Sequence, residues 1–339
     1  MPVGNSSQGV GLFPGEVMLN IDASYQYIIW SHDELLYEPF IHEGSLITYM
    51  LDPKITVGIN EFFNITFSQQ IGVRQMMWKT EELSIHHRTE NTLTDYVKPN
   101  GDLQARGSIL GDSKFSIKYL HKDTGIKDGF RIYYGLGFII PSKSILLADP
   151  FVSPDDENDI IAWNSGEYNH RHFSLSSGVY KASIETQIFY KQSLNPMFFG
   201  SVVNVDIPLS ENKYDFSSGL NYSIASTMVW KRNNYNENKF NVLPLGFVFG
   251  FSYVAFEESS WNNIPIPNSK STLIIPSIGG VFPTNQGAIS ISIRKPIFIE
   301  GKSIMAGNNV SPDVLNNKTD VYEISFGYRR NLGYMIPWL

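Results

Sequence analysis

VLPLGFVFGFSYVAFE, residues 242–257, decides the fold. Read in steps of two, Leu243, Leu245, Phe247, Phe249, Phe251, Tyr253 and Ala255 share one side. Pro244, Gly246, Val248, Gly250 and Ser252 share the other. A period of two places successive side chains on opposite faces of a β-strand. Strands of soluble sheets average roughly 5–6 residues, whereas a tilted strand needs roughly 9–11 to cross a bilayer. This run is long enough to cross.

Working outward, the same alternation recurs. Tyr322, Ile324, Phe326 and Tyr328 oppose Glu323, Ser325, Gly327 and Arg329. Ile289, Ile291 and Ile293 oppose Ser290, Ser292 and Arg294. Phe115, Ile117 and Tyr119 oppose Lys114, Ser116 and Lys118, and Leu19, Ile21 and Ala23 oppose Asn20, Asp22 and Ser24. Charge stays on one face. No amphipathic helix is available to cover the apolar one. A closed barrel with that face in lipid pairs every backbone group and leaves no sheet edge. The expected fold is therefore all-β: a transmembrane antiparallel β-barrel of about 12 strands. They start near Val17, Ser45, Asn64, Asp112, Gly129, His172, Met197, Tyr214, Asn241, Ser271, Gln286 and Asp320. The run from His172 to Lys191 reads either as one long strand or as two pieces broken at Gly178.

The connections alternate in length. Short turns are expected at 60–64, 123–128, 194–197, 232–239 and 283–287, and longer loops at 32–44, 79–111, 142–171, 258–270 and 300–319. Bacterial barrels show this pattern of short periplasmic turns and longer external loops. The junction at 210–213 breaks it, being short where a long loop is due. An even strand number puts both termini on the periplasmic side. Residues 1–16 are expected to hang in the periplasm or plug the lumen, and 17–339 to form the barrel. Residues 1–15 have neither a basic start nor an apolar core, so they are not a signal peptide. A mature chain is expected. The six Trp residues fall at strand ends or in loops, as interfacial girdles or as ordinary loop packing.

Composition narrows the function classes. The absence of Cys excludes disulfides, Cys-ligated zinc and a thiol nucleophile. A net charge of -7 argues against nucleic acid as a partner.

Two stretches carry a family resemblance. TVGINEFFNITFS, residues 56–68, is a strand, tight turn and returning strand. Further on come Leu110-Gly111-Asp112, Lys118-Tyr119, Tyr134-Gly135-Leu136-Gly137 and Ile140-Pro141. Together they resemble outer-membrane barrels of the phenol meta-pathway degradation-like, porin-like transporter family. Ser177-Gly178 and residues 205–209 fit later parts of its pattern. The resemblance covers about half the chain and implies fold and location, a Gram-negative cell envelope, but no site residue. The chain departs from the common terminal Phe, ending in Trp338-Leu339.

Candidate sites follow from the faces. Asp22, Lys54, Arg74, Lys114, Lys118, Arg131, Glu185, Lys191, Asp206, Asp215, Lys231, Arg294, Glu323 and Arg329 are expected to line the lumen. Leu245, Phe247, Phe249, Phe251, Tyr322, Ile324, Phe326 and Tyr328 are expected to face lipid. A lumen of mixed charge reads as a narrow polar channel or solute-holding cavity, or as an interior closed by ion pairs. His32, Asp33, Glu34, Glu38, His42 and Glu43 crowd one loop but match no metal-ligand spacing, so no metal is expected there. The same holds for His86-His87, for His170 and His172, and for the acidic run Asp155, Asp156, Glu157 and Asp159. His172-Phe173-Ser174 places a His two residues from a Ser, in outline like the pair of outer-membrane phospholipase. No orienting acid accompanies it.

The expected function is passage or binding of a small solute across the bacterial outer membrane, without catalysis or a cofactor, with membrane lipid and the solute as partners. The alternatives are a structural or adhesive surface barrel, a lipid hydrolase, or a soluble all-β protein.

Overall fold

The computed structural model describes residues 11–33, 41–78, 92–93, 96–97, 103–105, 107–124, 127–143, 174–192, 197–212, 215–231, 244–266, 269–301 and 318–338. They contain no helix, hence none long and apolar enough to cross a membrane.

Twelve antiparallel strands close into a barrel. They are β1 (Glu16–His32), β2 (His42–Gly58), β3 (Phe63–Trp78), β4 (Leu110–Asp123), β5 (Gly129–Ile140) and β6 (Lys181–Lys191). The second half is β7 (Met197–Pro208), β8 (Asn221–Lys231), β9 (Gly246–Phe256), β10 (Ser271–Thr284), β11 (Gly287–Arg294, continued by Ile297–Glu300) and β12 (Lys318–Met335). Each pairs with its neighbour in sequence, and β12 returns to β1 through a ladder running from Glu16↔Met335 to Ser31↔Lys318. The predicted strand number and the all-β class therefore hold.

Both ends of the wall meet at one pole. The Gly15 amide donates to the Gly58 carbonyl at 2.8 Å, and the Ile336 amide donates to the Gly15 carbonyl at 2.8 Å. Gly15 has φ 77°, which a side chain would strain. The tight turns lie at this pole, the turn end. In the β2–β3 turn Asn60 Oδ1 accepts the amides of Phe62 and Phe63, both at 2.9 Å. Asn makes such local bonds readily, which is why it marks turns in sequence.

The strand boundaries differ from expectation at three places. β6 starts at Lys181 rather than His172: of the two readings of that run, the break at Gly178 is the one found, and residues 174–180 leave the wall. Gly178 has φ 73° there, incompatible with a continuing strand. β8 starts at Asn221 rather than near Tyr214, because residues 209–212 and 215–220 lie in the loop between β7 and β8. Within that loop Phe216–Ser217 pairs with Ser260–Trp261, which pairs in turn with Ile264–Pro265 through the turn Asn262-Asn263. The apparent break in loop alternation at 210–213 thus disappears. β9 starts at Gly246, after the predicted Asn241.

The outer face is apolar and open. Phe251 is 50% exposed and Ile324 52% exposed, while Asn20 inside is 0% exposed. Aromatic pairs on this face include Tyr25–Tyr49 and Phe63–Tyr119, each with ring centroids 5.1 Å apart. The Trp residues split. Trp230 and Trp338 are exposed, but Trp30 and Trp261 are buried. Those two pack against other residues rather than form a girdle: Trp30 covers Gly44, where a Cβ would meet its ring, and Trp261 packs on Phe216.

Candidate functional site: the barrel interior

Strand register stacks the inward residues of β1, β2 and β3 into rungs. From the loop end, Ile28–Leu46–Met76 is followed by Gln26–Thr48–Arg74, then Ser24–Met50–Gly72. Below these Asp22 pairs with Asp52, and the next rung is Asn20–Lys54–Ser68. Each step inward moves two residues along every strand, so one face is read as a ladder. The ladder is apolar at the loop end and charged at mid-height.

The apolar part is a cup of about 530 Å³. Ile28, Trp30, Leu46, Met76, Leu273 and Phe298 contribute its apolar wall. Residues 174–177 fold across it from the loop between β5 and β6. Arg74 Nη1 donates to the Ser174 carbonyl at 3.1 Å, and Asn212 Nδ2 donates to the Ser177 carbonyl at 3.1 Å.

The waist is ion-paired. Lys54 Nζ lies 2.7 Å from Asp22 and 2.8 Å from Asp52. Arg294 Nη1 lies 2.5 Å from Glu323. Lys118 lies 3.0 Å from Glu185, which also accepts from Gln187 Nε2 at 2.7 Å. Lys114 donates to Ser183 Oγ at 2.7 Å and stands 3.9 Å from Asp206. Paired and hydrogen-bonded in this way, the charges avoid most of the cost of leaving water. A smaller cavity of about 250 Å³ lies among Asp22, Asp52, Lys54, Arg294 and Glu323.

Toward the turn end the interior is packed. Tyr133, Phe189 and Val202 form one cluster, and Val229, Val248 and Val281 a second. Gln187 is 1% exposed, and Asn20 has no partner for either side-chain amide atom. The chain before β1 contributes to this packing. A Cβ at Gly58 would collide with the Phe13 carbonyl, and one at Gly11 would lie 3.3 Å from Tyr133 Oη.

Asp22, Lys54, Arg74, Lys114, Lys118, Glu185, Asp206, Arg294 and Glu323 therefore stand on the enclosed side, most of them in pairs. Arg329 stands opposite Asn20, within electrostatic reach of Asp22. Arg131 pairs with Asp123 at 2.8 Å, close to the β4–β5 turn. Lys231 is exposed at the turn end, and the Lys191 side chain lies outside the described residues. Asp215 is a correction: it sits exposed in the 209–220 loop with φ 63°, its carbonyl accepting from Asn262. The left-handed turn takes it out of strand parity. On the outer face, Phe247 and Tyr328 are half-buried, and Phe249, Phe251, Tyr322, Ile324 and Phe326 are exposed. Leu245 precedes β9, its amide donating to Val281.

The His172-Ser174 idea loses its geometry. It required both side chains on a lipid-facing strand, but Ser174 lies at the cup and precedes β6. His172, His86, His87, His170, Glu34, Glu38 and the acidic run 155–159 lie outside the described residues. His32 and His42 are register partners at the loop end of β1 and β2. Among the described residues no three His, Asp or Glu cluster to hold a metal.

The cup residues were missed in the sequence. Ile28 and Trp30 share parity with Asp22 and Gln26, so the signal was present: the inward face turns apolar near the loop end.

The barrel is similar to an outer membrane channel from Pseudomonas putida F1, with a TM-score of 0.54 at 8% identity, covering 95% of this chain and 98% of that one. Two others match more loosely. A FadL homologue of Pseudomonas aeruginosa has a TM-score of 0.41 at 9% identity, covering 97% of each chain. The toluene transporter TodX of P. putida has 0.39 at 9%, covering 94% of this chain and 91% of that one. The first likeness shows the fold; the looser two add no weight to it. No family model and no curated protein matches the sequence.

Proposed function

We propose that the protein is a channel of the bacterial outer membrane that binds a small solute in its loop-end cup and passes it through the barrel. The observation that carries this reading is the cup itself: about 530 Å³, lined both by apolar side chains such as Ile28, Trp30, Leu46 and Phe298 and by polar ones such as Gln26, Arg74, Ser176 and Asn212, inside a closed barrel and above a charged waist. That volume falls in the roughly 300–1,000 Å³ range of small-molecule sites. The P. putida F1 protein, whose fold it shares, is described as an outer membrane channel. The exposed apolar band, including Phe249, Phe251, Ile324 and Phe326, faces lipid. The ion-paired residues line the path. The tight turns and both termini lie on the periplasmic side. Residues 11–15 pack at the turn end, and 17–339 form the barrel.

Purified protein in planar bilayers tests this reading. Discrete conductance, reduced by a solute with an apolar part added on the loop side, is the expected result. One observation favours a second reading, a structural or adhesive barrel: the turn-end half is packed, with Gln187, Tyr133 and Asn20 no more than 1% exposed. A well-folded barrel that stays silent to ions and takes up no solute into liposomes would decide for that alternative.

A further inference from the structure

We infer that the cup has a second mouth in the barrel wall: a seam between β11 and β12 through which an apolar molecule dissolved in the outer leaflet passes into the cup. The inference rests on the solute-binding reading above and adds the route and the class of the solute.

Strand pairing shows where the wall parts. β11 and β12 pair from Ala288↔Arg329 up to Arg294↔Glu323 and stop there. Toward the loop end Ile297–Glu300 pairs with β10, while residues 318–321 pair with β1. Among the described residues these two facing edges form no ladder with each other. The cause is local. The Lys295 amide turns to the Pro276 carbonyl at 3.0 Å, and Pro296 has no amide hydrogen to give. The Lys295 side chain bridges the foot of the seam, pairing with Asp320 and lying 3.6 Å over the Tyr322 ring. Strand edges without a ladder persist at membrane depth only where they line a cavity. Here they line the cup: Pro296 and Phe298 from one lip, and Thr319 and Val321 from the other, belong to its wall. Outside, Ile297 and Ile299 are 43% and 60% exposed. From residue 296 to 299 this lip is therefore apolar on both faces of the wall. Tyr322 and its register partner Tyr27 mark the foot of the seam with aromatic side chains, as at a membrane interface. An apolar molecule entering here reaches the cup without crossing water. A route along the barrel axis would take it past the ion pairs of the waist instead.

The chain has no Cys, so a single introduced thiol reports its own position. Phe298→Cys places one at the seam, and Leu46→Cys places one in the same cup but on β2, away from the seam. The whole protein in lipid vesicles is treated with N-dodecylmaleimide, which its hydrocarbon chain holds in the bilayer, and separately with a water-soluble sulfonated maleimide. Mass spectrometry reads the adducts. Relative to the water-soluble reagent, N-dodecylmaleimide should modify Phe298→Cys about tenfold or more faster than Leu46→Cys, because only the seam thiol meets the concentration held in the bilayer. Thr319→Trp added to Phe298→Cys fills the gap from the facing lip and should remove most of that advantage. The heat-dependent shift of the folded band on a gel shows that each variant is folded. Equal relative rates at the two positions, or an advantage unchanged in folded Phe298→Cys/Thr319→Trp, overturns the side mouth and leaves the solute-binding reading intact. Fast reaction at the seam in a protein whose conductance no solute reduces overturns the solute-binding reading and not the side mouth.

Discussion

Lys54 holds together two carboxylates that strand register places side by side. Asp22 on β1 stands directly opposite Asp52 on β2, and the ammonium bridges them at 2.7 and 2.8 Å. Lys54→Met keeps the bulk of the side chain and removes the charge. Directly opposed side chains lie about 5 Å apart, and two like charges at that distance repel by ~3 kcal/mol at an effective dielectric near 20. Breaking a buried ion pair from one side typically costs ~3–5 kcal/mol. The Asp52 side chain is 29% exposed, so water recovers part of this, and ~2–3 kcal/mol is the expected destabilisation. Asp22 has a second cation within electrostatic reach, Arg329. Neutralising Asp52 alone should therefore rescue most of the loss in Lys54→Met/Asp52→Asn. The assay is urea unfolding in lipid vesicles followed by tryptophan fluorescence. A Lys54→Met change below ~0.5 kcal/mol, the scatter of an ordinary surface substitution, would refute the electrostatic account of the waist. So would a double variant no more stable than the single one.

Two further predictions test the membrane placement and the closed turn end. Ile324→Arg should cost ~2–4 kcal/mol if the residue lies near the bilayer midplane, while Ile324→Phe should be close to neutral; refolding yield into vesicles reads both, and a wild-type chain that stays dissolved without detergent or lipid would sink the placement. Gly58→Ala puts a methyl where the Phe13 carbonyl lies, so it should dislodge residues 11–15 and raise single-channel conductance, as should deletion of residues 1–12. Conductance unchanged in both variants would show that this segment does not obstruct the path.

Much of the architecture was legible before any coordinates. Phe247, Phe249 and Phe251 alternate with Val248, Gly250 and Ser252, and the length of that alternation separates a membrane barrel from a soluble sheet. Parity then carried Asp22, Lys118, Glu185 and Glu323 to the enclosed side. Parity failed where the backbone left the strand: at Asp215, with positive φ, it predicted wall where the chain forms loop, and at Gly178, also with positive φ, it left open the break that the chain makes. It also carried no information on the 174–177 segment, whose place across the cup depends on Arg74 and Asn212, distant in sequence.

By itself, then, the sequence determined the strand period, the strand number and which residues share a face, because these depend only on neighbours a few positions apart. Tertiary structure alone decided which charges meet, how far the interior is filled, and that the inward face becomes a cup near the loops. Pairs such as Lys54 with Asp22, or Arg294 with Glu323, join positions that only closure of the barrel and its particular stagger bring within bonding distance.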